Sequence, residues 1–128
     1  MVDHVLGVYD EIHGLKCFSL RYFTAAGATA KFGEDHRCET HLIPNVLKVA
    51  LGQKPQVEIY GTDYETPDGT CIRDYIHILD LSRAHILALS AKDSAFYNLG
   101  PGGGARVRAV TDVCPACSPQ PTPSSPKP

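Results

Sequence analysis

The chain has no excess of positive charge. Its 12 Lys and Arg residues against 14 Asp and Glu leave a net charge of −2, which gives no electrostatic reason to expect a nucleic acid or an anionic membrane as partner. No apolar run approaches the roughly 20 residues that a membrane-crossing helix needs. The opening stretch, MVDHVLGVYDEIHG, has neither the basic start nor the apolar core of a secretory leader, so a cytoplasmic location is expected. A disulfide framework is missing as well. Cys17, Cys38, Cys71, Cys114 and Cys117 are odd in number and scattered in spacing, the pattern of free thiols. Cys114 and Cys117 have CxxC spacing, but there is no second pair and prolines follow. Neither a metal nor redox chemistry is expected there.

What is present suits one modest core: 128 residues, 43% apolar and 20% charged, are ordinary for a globular protein. Val2, Val5, Leu6 and Tyr9 fall at helical spacing over 2–12, and Gly14 can cap the helix. Residues 15–23 read as a buried strand. A helix leading into a buried strand is half of a βαβ unit, so the fold class is α/β with a parallel sheet. Residues 24–39 are loop-like. A second helix is expected over about 41–51, with Ile43, Leu47, Ala50 and Leu51 as its packed stripe and Gly52 and Pro55 ending it. Short strands follow at 57–60 and 96–99, with a third helix over 81–91. From Cys114 the composition changes: six of the ten prolines lie in the last fourteen residues, and a disordered or polyproline-like tail is expected over 114–128.

The densest stretch is TPDGTCIRDYIHILDL, Thr66 to Leu81. Pro67, Asp68 and Gly69 form a turn signal. Ile72 to Ile78 alternates as a two-faced strand does, and Asp80 can cap the following helix. Arg73 thus sits at the edge of an ordered element, placed to grip an anion. With Arg21-Tyr22-Phe23, Gly33-Glu34-Asp35, the run Glu39 to Pro44, Ile59-Tyr60-Gly61 and Tyr97-Asn98-Leu99-Gly100, in that order, this stretch resembles the UDP-glucose 4-epimerase family, within the extended short-chain dehydrogenase/reductases. The resemblance covers about residues 1–110.

It implies an incomplete Rossmann-like sheet with part of a smaller substrate-binding lobe at about 24–78, the whole lying within 1–113. It also implies NAD as cofactor, UDP-glucose and UDP-galactose as substrates interconverted through a 4-keto intermediate, and homodimers in the family. By resemblance Tyr22 and Phe23 face the nicotinamide. Arg73 contacts the diphosphate, a role that guanidinium geometry suits; the bland alternative is an ion pair with Asp74. Tyr60 lies beside the uracil, where a planar ring can stack, or is a plain packing residue. Tyr75 lies near the nucleotide, and Thr40, His41 and Leu42 bring a helix start to the UDP-sugar. Thr24 replaces the asparagine usual in the family, which shortens that contact.

Two expected parts do not occur. The glycines of Gly100 to Gly104 lack GxGxxG spacing and no capped helix follows, so they read as a turn. None of Tyr9, Tyr22, Tyr60, Tyr64, Tyr75 and Tyr97 has a lysine four residues on, so the family's Tyr-x-x-x-Lys pair is missing and no catalytic residue is assigned. The resemblance therefore implies the middle of a longer enzyme, the 128 residues alone being inactive. The alternatives are a nucleotide-sugar-binding remnant or truncated product, an interaction module using the proline-rich segment, and a 4-epimerase of UDP-xylose or UDP-glucuronate.

Overall fold

The computed structural model describes residues 1–117 and 124–127. In chain order the elements are α1 (Val2–His13), β1 (Phe18–Tyr22), β2 (Thr24–Ala26), α2 (Leu42–Ala50), β3 (Val57–Tyr60), β4 (Ile72–Arg73), β5 (Tyr75–His77), α3 (Ile78–Ala88), β6 (Ala95–Leu99), β7 (Ala105–Arg106), α4 (Val107–Cys117) and β8 (Ser124–Lys127). The fold is α/β, and among the described residues three of four strand pairs are parallel. Two compact units share the chain: Met1–Gly33 with Tyr75–Gly102, and Glu34–Asp74 with Gly103–Pro128. Of the 24–78 segment, residues 24–33 and 75–78 fall in the first unit and 34–74 in the second.

In the first unit β1 runs parallel to β6, from Phe18 opposite Ala95 to Tyr22 opposite Leu99. The ladder is extended at one end by Cys17, whose carbonyl accepts from the Ala95 N–H at 3.1 Å. At the other end the Phe23 N–H donates to Leu99 O. β2 pairs with β5, which sets Thr24 opposite Tyr75. α1 ends where expected: Gly14 takes the left-handed conformation (φ 65°) and donates its N–H to Asp10 O. Its apolar stripe, however, faces outward, with Val2 67%, Val5 47% and Tyr9 49% exposed. The acid Asp3 instead accepts from the Ser19 hydroxyl at 2.6 Å and pairs with Arg21.

α3 begins three residues earlier than its sequence pattern suggested. His77 caps it, its Nδ1 accepting the Leu79 N–H. Asp80, expected as the cap, lies in the first turn, where an acid is favoured by the helix dipole, and pairs with Arg83. The strand expected over 72–78 is two strands, β4 and β5, each paired within its own unit.

The second unit has the denser core. Val46 and Val49 of α2, Val57 of β3 and Cys114 of α4 pack together, with Leu42 and Ala50 against them. Fully burying each valine contributes about 1.5–3 kcal/mol over leaving it exposed. The packed stripe of α2 is therefore Leu42, Val46, Val49 and Ala50, and not the stripe expected; Leu47 and Leu51 are 52% and 70% exposed. Apolar residues occupy more of this helix than one packed stripe, with Asn45 and Lys48 as its polar positions, so periodicity alone did not select which apolar residues face inward. Helix α4 carries order through Cys117, past the expected tail boundary at 114, because Cys114 is buried in that core. Ser124–Lys127 run parallel to β3. The rest of the expected tail, 118–123 and 128, lies outside the described residues.

Candidate functional site

The second unit builds its site around a turn. Gly69 has φ 73° and sends its carbonyl to the Tyr64 N–H at 3.0 Å, closing the Pro67-Asp68-Gly69 bend. Thr70 is completely buried. Its hydroxyl donates to Asp68 Oδ1 at 2.7 Å and accepts the Arg108 N–H at 3.3 Å. The Thr70 backbone N–H, then the Thr70 hydroxyl and the Arg106 and Arg108 charges, hold the Asp68 carboxyl below its ordinary pKa. Arg106 also forms an ion pair with Asp68 at 3.2 Å. These bonds tie β7 and the start of α4 to the turn, and β7 in turn carries β4.

Arg73 stands opposite Ala105 in that antiparallel pair, secured on one side by the Val107 N–H donating to Cys71 O at 3.0 Å. Gly104 lies where a Cβ would collide with the Ile72 side chain, so the glycine loop serves close packing beside β4, as a turn. The Arg73 guanidinium is exposed and donates to the Ile72 carbonyl. Asp74 does not take it as an ion pair: its Oδ1 is buried with no partner among the described residues.

A cavity of about 690 Å³ opens within this unit, and Thr40, Leu42, Tyr60 and Arg73 all line it. Four of the residues expected at the nucleotide-sugar are thus brought together. Lys54, which sequence reasoning missed, lines it too and holds Asn45 through a 2.6 Å bond from Nζ to Oδ1. Only its place after Gly52 could have hinted that it folds back onto α2. Arg73 and Lys54 share the cavity wall with Glu39 and Glu58, so its formal charges balance, and the guanidinium of Arg73 is the group suited to an anionic ligand. Tyr60 is 65% exposed and donates its hydroxyl to Glu58.

His41 is not on the cavity wall. As the N-terminal flanking residue of α2 it turns toward carboxylates, with Nδ1 2.9 Å from Glu39 Oε1 and 3.7 Å from Glu34 Oε1. The His41 backbone N–H, chiefly, holds the Glu39 carboxyl below its ordinary pKa. Tyr22, Phe23, Thr24 and Tyr75 belong to the first unit. Tyr22 and Phe23 are half exposed at the C-terminal end of β1, with Tyr22 6.2 Å from the His85 ring.

Residues 1–100 match the NAD dependent epimerase/dehydratase family. The chain is 51% identical over 121 residues to a UDP-glucose 4-epimerase of Halalkalibacterium halodurans, covering 90% of this chain and 36% of that protein. To the UDP-glucose 4-epimerase of Corynebacterium glutamicum it is 44% identical over 126 residues, 96% of this chain and 38% of that one. Its structure superposes on the UDP-glucose 4-epimerase of Bifidobacterium longum, solved in complex with NAD+ and UDP, with a TM-score of 0.87 at 36% identity, covering 99% of this chain and 40% of that one. The chain thus spans between 36 and 40% of the length of these relatives. Its parallel strand pairs and helices are part of a Rossmann-like α/β fold. By the family match and the shared fold, the chain belongs to the NAD dependent epimerase/dehydratase family.

Proposed function

We propose that the chain supplies the nucleotide-sugar side of a UDP-glucose 4-epimerase, which interconverts UDP-glucose and UDP-galactose through a 4-keto intermediate in the cytoplasm. The observation that carries this reading is the convergence of Thr40, Leu42, Tyr60, Lys54 and Arg73 on one cavity. Arg73, backbone-anchored and without a carboxylate partner among the described residues, grips the diphosphate through charge-assisted bonds. Tyr60, on the cavity wall, brings a planar ring to the uracil, and Thr40 and Leu42 bring the start of α2 to the ligand. Thr24 and Tyr75, expected by resemblance at the sugar and the nucleotide, lie opposite each other in the first unit.

For NAD, the described residues present an aromatic edge, Tyr22 and Phe23 at the end of β1, and nothing that cradles a pyrophosphate. That edge alone does not fit the whole cofactor, and no hydride step is assigned to this chain. The chemistry NAD supplies in the family reading is a reversible oxidation at the sugar C4. The lack of a Tyr-x-x-x-Lys pair favours a second reading for the 128 residues by themselves: binding of UDP without turnover.

Calorimetric titration with UDP tests both. The chain binds UDP, Arg73→Ala weakens binding about tenfold, and Arg73→Lys restores little of it, because an ammonium cannot form the bidentate contact. Equal affinity of the parent and Arg73→Ala would sink the assignment. Turnover of UDP-galactose by the chain alone would remove the binding-only reading.

A further inference from the structure

Glu34, His36, Glu39 and His41 follow an E-x-H-x-x-E-x-H spacing in the segment that enters α2. One donor atom from each lies within 4.8 Å of all the others. His36 Nδ1 is 2.7 Å from Glu34 Oε1, and the two imidazole rings stack with centroids 5.2 Å apart. We infer that this cluster is a binding site for a single zinc ion with two imidazole and two carboxylate ligands.

The geometry is close to what zinc requires. Bonds of about 2.0–2.2 Å in a tetrahedron place the donors roughly 3.3–3.6 Å apart. The Glu39–His41, Glu34–His41 and Glu34–His36 separations of 2.9, 3.7 and 2.7 Å bracket that value. Glu39 is the fixed member: its side chain is only 7% exposed and accepts the His41 N–H at 2.8 Å. Glu34, His36 and His41 are exposed and can close the remaining distance by rotamer changes. Two carboxylates neutralise the dication. Imidazole nitrogen selects zinc and its neighbours over magnesium and calcium, which prefer all-oxygen shells.

The sequence points to no metal here except through this spacing, which is not that of the Cys114–Cys117 pair. A bound ion would cross-link both ends of the segment from Glu34 to His41 and so fix the approach to Thr40 and Leu42. The inference is independent of the nucleotide reading, since its test uses no nucleotide.

The metal-free 128-residue chain is titrated with Zn²⁺ against a chromophoric chelator, then with Co²⁺ while visible absorption is recorded. One equivalent binds at micromolar affinity or tighter, and Co²⁺ gives four-coordinate d–d bands without thiolate charge transfer. His36→Gln and His41→Gln each weaken binding at least tenfold, whereas His4→Gln and Cys38→Ser leave it unchanged. Circular dichroism checks that each variant is folded, and Glu34→Gln replaces any that is not. Sub-stoichiometric binding, affinity unaltered in His36→Gln, loss of binding in Cys38→Ser, or a thiolate band would each overturn the site.

Discussion

The two units of this chain treat their apolar residues in opposite ways. In the second, Val46, Val49, Val57, Ile59 and Cys114 are at most 7% exposed, and Thr70 and Thr111 are buried with their hydroxyls bonded. In the first, Leu81 alone is comparably buried among the described residues, while Val2, Ile12, Ile86, Leu87 and Leu89 are 65–86% exposed. The first unit has the more regular ladder, β1 with β6, yet little to cover its helices. A well-formed parallel pair is therefore a different thing from a closed core. Apolar faces of that extent mark surfaces that pack against something else.

Substitutions can break this contrast, and they rank by burial. Val46→Asp places an unpaired charge in the second unit's core and is expected to cost about 4 kcal/mol or more. Hydrogen exchange should then show α2 and β3 losing protection while β1 and β6 keep theirs. Thr70→Val removes one of Asp68's donors and leaves the Arg108 N–H without the Thr70 hydroxyl, and is expected to cost about 1–3 kcal/mol in urea unfolding. Val5→Ser and Ile12→Ser in α1 should stay within about 0.5 kcal/mol, because those side chains are already in water. An effect of Val5→Ser as large as that of Thr70→Val would mean that α1 has partners which its exposure does not show.

Acid sharpens the comparison further. The folded pKa of Asp68 is depressed, first by the Thr70 N–H, and that of Asp3 first by the Ser19 hydroxyl. A depressed carboxyl contributes its full stability above the unfolded value, near 3.9, and loses it as pH falls through the lower folded value. Asp68→Asn should flatten the acid limb of second-unit unfolding, and Asp3→Asn that of the first. Tryptophan is absent, so site-resolved exchange or NMR is the readout. An unchanged acid limb in Asp68→Asn would show that the turn's bonds do not report on folding.

Much of this was legible in the chain. The α1 boundary with its Gly14 cap, the span of β3 and the body of α2 follow from local rules about caps, breakers and β-branched runs. The inward face of α2 did not, because its apolar arc is wider than one packed stripe and leaves that choice to its partners. The division of Ile72 to Ile78 was hidden for a similar reason: alternation records two faces but not which ladder each residue joins. Helix α4 was missed although Val107, Val110, Thr111 and Cys114 recur at helical spacing; the prolines beyond it masked the signal. Arg73, Tyr60, Thr40 and Leu42, picked out from the sequence, line one cavity, whereas Lys54 and the Glu34–His41 cluster depend on how loops fold back, which no periodicity records.

The parallel pairing of β1 with β6 also has a temporal side. Cys17 and Ser94, bonded at the edge of that ladder, are 77 positions apart. At translation speeds of about 5–20 residues per second, β1 leaves the ribosome roughly 4–15 s before its partner exists. Through that interval Phe18 to Tyr22 is an unpaired strand edge, open to whatever other chain it meets. α2 and β3, close neighbours along the sequence, can meet almost as soon as they emerge. Among the described strands β1 waits longest for its partner during synthesis, and a chaperone would be needed there first.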